Sequence, residues 1–303
     1  MNPASRLGVS TWSIEGLVLQ GGNSVERQIE LVASTGVETI DLPEYHLGFD
    51  PHPNLHRLHT IRDTIKANGL ELSGIFFHTD LVAATDFYSA EKVIADLQEY
   101  VAVAGFLGAV AIEISNGNLT PSLSEQEARD MVLPIYEAII PTAEYFDVVV
   151  SINAARPSTV SVFKSPESAL GIVKEFDSPF LRVTPDFECW RIPREGMPMK
   201  YVEAPNAVRG VATPLDVFAD CLPYARRIEA KLFEFDEDGN EPNFPVDQLM
   251  AMVEDNGGAF DVAIEYEGWT PGVFPERDAY EEMVKAVQLL QRYGLGRNAR
   301  GNK

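Results

Sequence analysis

The sequence predicts a (β/α)8 barrel, and three observations support this fold class. Short apolar or β-branched segments alternate with amphipathic segments along almost the whole chain, which is typical of repeated βα units. Eight such units can be read from the sequence. The length of 303 residues also suits one barrel, which typically needs about 250 residues. We therefore expect residues 1–303 to form a single barrel domain with one long loop at 187–213.

The strands are expected in eight short runs that are rich in apolar and β-branched residues. In chain order they are Arg6–Thr11, Val37–Leu42, Glu71–Phe76, Ala109–Ile114, Val148–Ile152, Leu181–Pro185, Ile228–Phe233 and Asp261–Tyr266. The long loop at 187–213 follows the sixth strand, and its Pro, Met and aromatic residues make it a candidate lid or partner surface. A surface extension without function is the alternative.

The helices are expected between the strands, and several carry residues that are typical of helix ends. Gly36, Gly69 and Gly108 each follow a helical segment, where a left-handed residue is least costly as glycine. Pro166 and Pro214 each open a helix, where the missing N–H costs nothing. The predicted helices are Ser24–Ser34, Leu55–Asn68, Ser89–Phe106, Ser124–Tyr145, Pro166–Glu175, Pro214–Arg226, Val246–Asp255 and Arg277–Tyr293.

Charge and composition exclude several classes of partner. The 24 Lys and Arg residues against 46 Asp and Glu give a net charge of −22, which repels nucleic acid and anionic membrane surfaces. No apolar segment approaches the ~18–20 residues that span a bilayer, and residues 1–7 are too polar for a signal peptide. Cys189 and Cys221 make no disulfide framework. We therefore expect a cytoplasmic protein that binds neither nucleic acid nor membrane.

Polar side chains collect where the predicted strands end, which is where a barrel carries its catalytic groups. Residues two apart on a strand face the same side, so Glu229 pairs with Lys231, and Glu265 with Glu267. Burying such charges together requires ion pairs, a cation or a ligand, although each carboxylate alone also suits a solvated strand end. The whole set is Asp41, Glu44, His78, Asp80, Glu113, Asn116, Asn153, Asp186, Glu229, Lys231, Glu265 and Glu267.

Histidine and tryptophan add further candidates near the same strand ends. His78 suits an acid or base near neutral pH, or a histidine that is hydrogen-bonded at the edge of the core. Trp12, Trp190 and Trp269 are candidates to stack on the C–H faces of a sugar, or to fill the barrel as ordinary core. The sequence contains no GxSxG, P-loop or HExxH motif, and no GxGxxG after a strand. Hydride transfer and nucleotide chemistry are therefore not expected.

An ordered series of short motifs resembles a known family over nearly the whole chain. The motifs are LGVSTWS, IDLPEYH, GIFFHTDL, AKLFEFDEDGN and IEYEGW. Together they are similar to the sugar phosphate isomerase/epimerase group of xylose isomerase-like TIM barrels. Within that group the chain is most similar to the branch that contains the large subunits of C-glycoside deglycosidases.

The resemblance implies a divalent cation, Mn²⁺ or Mg²⁺, held by Glu, Asp, His and Glu on strands five to eight. Asp186 matches the aspartate, whereas Asn153 and Glu229 stand where the family has Glu and His, and strand eight offers Glu265 or Glu267. Asn153, Asp186, Glu229 and Glu265 would still form an all-oxygen set, which suits hard cations. Two alternatives remain open: the metal is lost and Lys231 neutralises Glu229 or Glu265, or the register is shifted by two residues.

The resemblance also implies an enzyme that abstracts a proton next to the carbonyl of a sugar or sugar-derived ketone. The outcome would be isomerisation, epimerisation or elimination from an oxidised C-glycoside. The catalytic candidates are His78, Glu113, Glu265 and Lys231; the substrate-binding candidates are Trp12, Glu44, Trp190, Glu267 and Trp269. The alternative is a catalytically inert barrel that binds a sugar-like ligand. A homo- or hetero-oligomer is expected, and a small partner subunit would dock on the loop at 187–213.

Overall fold

The computed structural model describes residues 5–49, 53–77, 80–82, 84, 88–114, 117, 123–154, 162–163, 165–192, 213–270 and 276–296. Eight parallel strands form one sheet in the order β6-β5-β4-β3-β2-β1-β8-β7. Their bounds are β1 Arg6–Ser10, β2 Thr39–Pro43, β3 Glu71–Phe77, β4 Ala111–Ile114, β5 Val149–Ala154, β6 Leu181–Pro185, β7 Arg227–Leu232 and β8 Asp261–Tyr266. The predicted fold class is therefore confirmed.

The sheet curls into a nearly closed barrel at the seam between its two end strands. One isolated parallel bridge joins Val183 to Ala225, and a second joins Asp186 to Glu229. The second bridge places the residue that follows β6 beside the middle of β7. Two carboxylates from distant parts of the sequence become neighbours at the carboxyl end of the barrel, which is the end where (β/α)8-barrel enzymes in general carry their active sites.

The described residues form nine α-helices, most of which lie between consecutive strands. The helix from Glu125 begins with a capping box, in which Ser124 and Glu127 each accept a hydrogen bond from the other's backbone. Gly108 follows the helix that ends at Leu107 and has φ of 78°, as its predicted terminating role requires. The helices are α1 Glu15–Gly21, α2 Val25–Ser34, α3 Leu55–Ala67, α4 Ala90–Leu107, α5 Glu125–Phe146, α6 Pro166–Phe176, α7 Leu215–Cys221, α8 Val246–Asn256 and α9 Ala279–Gln291.

Two helical regions differ from the sequence-based prediction. The segment predicted as Pro214–Arg226 forms α7 and then a 3-10 turn over Leu222–Tyr224, because Pro223 has no N–H to continue the α-helix. Helix α1 was not predicted, since Gly16 and Gly21 lower its helix propensity. Its packing explains why it forms: the Gly16 backbone lies against the Trp269 ring, which a Cβ atom would meet at 3.1 Å.

The apolar core fills the barrel and the space between strands and helices. Leu7, Val9, Ile40, Ile112 and Val183 are fully buried on the strands. Among the described residues, no helix has the length and apolar character needed to cross a membrane. Only 187–192 and 213 of the predicted long loop lie within the described residues, so its suggested role as a lid or partner surface stays a prediction.

Candidate active site

A single lysine lies at the centre of a group of carboxylates at the carboxyl end of the barrel. Lys231 is on β7, and its Nζ lies 3.2–3.8 Å from one oxygen of each of five carboxylates. These are Asp186 at 3.4 Å, Glu188 at 3.7 Å, Glu229 at 3.2 Å, Glu265 at 3.4 Å and Glu267 at 3.8 Å. We call these five residues the carboxylate ring.

Local backbone structure positions each part of the carboxylate ring. Glu229 and Lys231 project from the same face of β7. Glu265 lies on the adjacent strand β8, directly beside Lys231 in the strand register. Asp186 ends β6, and its Oδ1 accepts a hydrogen bond of 2.8 Å from the Glu188 backbone N–H. This bond opens a 3-10 turn over Phe187–Trp190. The turn directs Glu188 back towards the lysine.

A second charged layer lies deeper in the barrel and is linked to the ring by an amide. Asn153 on β5 donates through Nδ2 to Glu113 at 2.7 Å and to Glu229 at 3.1 Å. Glu113 also lies 3.3 Å from Nη1 of Arg227, which forms a fully buried ion pair with Asp41. Asn153 Oδ1 is buried and has no hydrogen-bond partner among the described residues. Asn153 therefore turns its donor atom, Nδ2, towards both carboxylates.

Glu229 and Glu265 differ in their affinity for a proton. Burial favours the neutral form of both, but Lys231 and a hydrogen bond from Glu265 outweigh burial and lower the pKa of Glu229. Burial and the charge of Glu229 raise the pKa of Glu265 well above its ordinary range. Glu265 therefore binds a proton more tightly than Glu229 does. Environments that push two carboxyl pKa values apart are typical of an acid–base pair.

Two further carboxyl groups of this site have raised pKa values. Burial, followed by repulsion from Glu229, raises the pKa of Glu113 to about 7, although Arg227 opposes the shift. Burial is also the main reason why the pKa of Asp186 is raised, against the attraction of Lys231. The same surrounding carboxylates raise the pKa of Lys231 despite its burial. Lys231 is therefore held as an ammonium, and Asp186 and Glu265 bind a proton more readily than ordinary carboxyl groups.

The arrangement does not fit a divalent cation as it stands. Mg²⁺ binds its oxygens at about 2.0–2.1 Å and Ca²⁺ at about 2.3–2.6 Å, whereas the ring oxygens lie 3.2–3.8 Å from a central Nζ. No group of three or more His, Cys, Asp or Glu side chains in the described part of the chain is arranged to hold a metal ion. The ammonium occupies the position towards which the predicted ligands Asp186, Glu229 and Glu265 converge.

The aromatic candidates divide between the rim of the site and the core. Trp12 donates through Nε1 to Glu267 at 3.2 Å and meets Trp269 edge to face, with ring centroids 5.0 Å apart. Trp190 is buried, donates to the Pro214 carbonyl at 3.0 Å and packs against Phe218. The structure thus brings Trp12 to the carboxylate ring, with the buried Trp269 packed against it, whereas the contacts of Trp190 hold the start of the long loop against α7.

The remaining candidates lie apart from the carboxylate ring or outside the described residues. Glu44 is half-buried in the 3-10 turn after β2. Burial is the main reason why the pKa values of Tyr45 and Tyr100 are raised, and the charge of Glu44 adds to both shifts. His78 lies outside the described residues, as does Asn116. His46 is buried and bonded to Thr11 and Glu15, so its contacts are internal to the barrel wall.

Sequence reasoning missed two residues that complete the site. Arg227 is the first residue of β7, and it alternates with Glu229 and Lys231 along one face. Extending the period-two pattern one residue before the predicted strand start would have found it. Glu188 lies two residues after Asp186, beyond the end of β6. Its side chain reaches the site because the 3-10 turn over Phe187–Trp190 directs it inward. No strand periodicity predicts that orientation.

Comparisons with known proteins agree with this architecture. A family model described as xylose isomerase-like TIM barrel matches residues 29–200, more than half of the chain. D-Psicose 3-epimerase from Clostridium cellulolyticum H10, solved with D-tagatose, is 13% identical, with a TM-score of 0.70 over 96% of this chain and 100% of that one. A structure of L-ribulose 3-epimerase is 15% identical, with a TM-score of 0.68 over 98% and 96% of the two chains. At such identities these structures show a shared fold.

One curated relative is more similar in sequence over a short segment. The C-glycoside deglycosidase alpha subunit of Arthrobacter globiformis is 39% identical over 56 residues. That segment is 18% of this chain and 15% of the relative. The matched segment therefore spans less than one sixth of the relative's length.

Proposed function

The chain belongs to the xylose isomerase-like TIM barrel family, and we propose that it is an enzyme that isomerises or epimerises a sugar or sugar-derived ketone. The structural neighbours include sugar epimerases, which supports an enzyme of this general kind. The observation that carries the proposal is the placement of Glu229 and Glu265 at the carboxyl ends of adjacent strands, 3.2 and 3.4 Å from the same Lys231 Nζ. Their surroundings lower the pKa of Glu229 and raise that of Glu265. Both reactions require one group to remove a proton and another to supply one.

The proposed step uses the two carboxyl groups in complementary roles. The Glu229 carboxylate accepts the proton from the carbon next to the substrate carbonyl, and the electrons of that C–H bond form a carbon–carbon double bond. The carbonyl oxygen accepts the proton of Glu265 and becomes the hydroxyl of an enediol. Return of a proton to the former carbonyl carbon gives the isomer, whereas return to the opposite face of the first carbon gives the epimer.

The rim of the carboxylate ring supplies the proposed substrate contacts. Glu267 is held by the Trp12 indole N–H, so one of its oxygens is fixed at the entrance and can accept a sugar hydroxyl. Trp12, which is partly exposed and packs on the buried Trp269, offers apolar surface of the kind that packs on the C–H face of a sugar. These contacts support a ligand with several hydroxyl groups and an exposed ring or chain of C–H bonds.

Solvent deuterium incorporation tests the proposal directly. The purified chain is incubated in D₂O with a panel of ketoses, and exchange at the carbon next to the carbonyl is followed by NMR. We expect exchange with at least one ketose, and loss of that exchange in Glu229→Gln and Glu265→Gln. Glu167→Gln is the control, because Glu167 is an exposed residue at the start of α6. Absence of exchange in the wild type contradicts the enzymatic proposal and favours the inert barrel.

A second candidate reaction is elimination from a C-glycoside. The segment that matches the C-glycoside deglycosidase alpha subunit supports it, and the reaction would begin with the same proton abstraction. The experiment is to supply an oxidised C-glycoside, alone and with a candidate small partner subunit, and to measure release of the aglycone. Release that needs the partner would support a hetero-oligomer. Exchange with ketoses, and no aglycone release, would favour the isomerase or epimerase.

A further inference from the structure

The carboxylate ring already contains a cation, and that cation belongs to the chain itself. We infer that Lys231 takes the place of the divalent metal that the resemblance implies, and that its ammonium group faces the substrate's carbonyl oxygen during proton transfer. The inference rests on the proposed function for its catalytic part. Its structural part, that the ring holds an ammonium instead of a metal, stands on the geometry alone.

The position of Nζ is the first argument. Five carboxylates from three strands and their following loops have an oxygen within 3.8 Å of this one atom. A metal at the same point would require the ring oxygens to move inward by roughly 1 Å, given the oxygen distances that Mg²⁺ and Ca²⁺ accept. The ammonium would also have to give up its contacts with these five residues.

The ring carboxylates are held in place from outside, which opposes such a contraction. Asp186 accepts from the Glu188 backbone N–H at 2.8 Å. Glu229 accepts from Asn153 Nδ2 at 3.1 Å. Glu267 accepts from Trp12 Nε1 at 3.2 Å. Three different donors therefore fix three of the five carboxylates at a spacing that suits an ammonium.

The two departures from the family's ligand pattern fit the same interpretation. Asn153 replaces a charged ligand with an amide, whose Nδ2 donates to Glu113 and Glu229. Glu229 replaces a neutral ligand with a carboxylate, which lies 3.2 Å from Lys231. One substitution removes a negative charge from the metal position, and the other places a negative charge beside the lysine. The two changes cancel in net charge, and together they move one negative charge from β5 to β7, beside Lys231.

Lys231 is also accessible enough to meet a ligand. Its side chain is 13% exposed, although the side chains of Asp186 and Glu229 are only 1% and 2% exposed. The ammonium is therefore the cation that a carbonyl oxygen entering from the carboxyl end of the barrel can approach. A preorganised donor at the oxygen where negative charge develops typically contributes 10²–10³ in rate.

Manganese binding tests the structural part without any substrate. The wild-type chain is treated with chelator, dialysed and titrated with MnCl₂ alone, and free Mn²⁺ is measured by electron paramagnetic resonance. We expect no binding near one Mn²⁺ per chain at micromolar concentrations. Stoichiometric binding in that range overturns the inference. This measurement needs no variant, so it holds even if changes at Lys231 prevent folding.

Exchange measurements test the catalytic part. We expect chelator-treated wild type to keep its deuterium exchange, and Lys231→Ala to lose it by about 10²–10³. Millimolar ethylammonium should restore part of the lost exchange, because a small amine can occupy the space that the shortened side chain leaves. Lys92→Ala is the control; this exposed lysine pairs with Asp96 on α4 and should change neither activity nor its response to the amine.

The possible outcomes separate this inference from the proposed function. Exchange that is lost on chelation and restored by Mn²⁺ overturns the inference and supports the function. Exchange that survives chelation but is unchanged in Lys231→Ala overturns the catalytic role of Lys231. Absence of exchange in the wild type, with and without Mn²⁺, overturns the proposed function together with the catalytic part, while the MnCl₂ titration still decides which cation the ring accepts.

Discussion

Glu113 connects the two charged layers of the barrel interior. It accepts from Asn153 Nδ2 at 2.7 Å and lies 3.3 Å from Arg227 Nη1. Because Asn153 also donates to Glu229, a proton on Glu113 alters the charge that the carboxylate ring experiences from below. A buried carboxyl group with a pKa near neutrality can therefore adjust the whole site within the physiological pH range.

Glu113 should make the stability of the protein depend on pH. Burial and Glu229 raise its pKa from 4.5 to about 7 in the folded state, so the folded protein binds this proton more tightly than the unfolded chain. The stability that Glu113 contributes by binding this proton is fully present below about pH 4.5 and is lost as the pH rises through about 7. Urea unfolding between pH 5 and 8 should show that the free energy of unfolding falls less steeply with pH in Glu113→Gln than in the wild type, because the glutamine cannot ionise.

Glu167→Gln serves as the control for the pH experiment, since Glu167 is exposed on α6. The free energy of unfolding of this variant should fall with pH as steeply as that of the wild type. Equal slopes for Glu113→Gln and wild type would mean that Glu113 titrates in its ordinary range and that the buried network does not perturb it.

Glu267 should contribute to substrate binding more than to the chemical step. It lies furthest from Lys231 of the five ring carboxylates, at 3.8 Å, and Trp12 fixes its position. Glu267→Gln should therefore raise KM more than it lowers kcat in the exchange reaction. Trp12→Phe, which removes the indole donor and keeps an aromatic ring, should have a smaller effect of the same kind. A fall in kcat at constant KM would instead place Glu267 in the proton transfer.

Strand β3 contributes a glycine that the buried arginine requires. A Cβ atom on Gly74 would lie 2.6 Å from Arg227 Cζ, and this guanidinium is held by Asp41 and Glu113. Gly74→Ala should destabilise the protein by about 1–3 kcal/mol, as overpacking of a core does, and should weaken the contact that opposes protonation of Glu113. Chemical denaturation measures the first effect, and the pH dependence of unfolding measures the second.

Gly171 offers a matched control for the change on β3. It lies within α6 and has open space where a Cβ atom would be. Gly171→Ala should therefore stabilise the protein by roughly 0.5–1 kcal/mol through helix propensity. If both substitutions changed the free energy of unfolding in the same direction, steric contact with Arg227 would not be what constrains Gly74.

Elements that are fixed by burial on both faces were the most predictable from sequence. The predicted bounds of β6 and β8 match the structure to the residue, and all residues of these strands except Arg182 are buried. Elements that depend on tertiary contacts were less predictable. Helix α1 carries two glycines and forms beside Trp269, and the 3-10 turn that positions Glu188 depends on a hydrogen bond to Asp186.

The same distinction applies to the site as a whole. Strand ends and period-two alternation predicted that Asp186, Glu229, Lys231 and Glu265 would meet at one end of the barrel, and the structure brings them together. Whether these residues surround a metal or an ammonium depends on atomic positions within about 1 Å. A one-dimensional pattern has no information at that scale, whereas the structure gives the 3.2–3.8 Å distances to Nζ on which our inference of an ammonium rests.

The whole molecule carries a large excess of negative charge, and this should limit its stability at low ionic strength. A net charge of −22 at pH 7 destabilises the compact state through self-repulsion. Salt shortens the Debye length from about 30 Å at 0.01 M to about 8 Å at 0.15 M, so repulsion between distant surface carboxylates is largely screened. Calorimetry at pH 7 should therefore show Tm rising between 10 and 150 mM NaCl.

The pH of the salt experiment distinguishes charge screening from a general effect of salt. Near the isoelectric point of about 4.5 the net charge approaches zero, so the rise in Tm with NaCl should shrink or disappear if the protein stays soluble there. Ion pairs such as Lys92–Asp96 on the surface are weakened by the same salt, but exposed pairs contribute only about 0–1 kcal/mol each. A Tm that falls with NaCl at pH 7 would show that these local attractions outweigh the long-range repulsion of the 46 acidic residues.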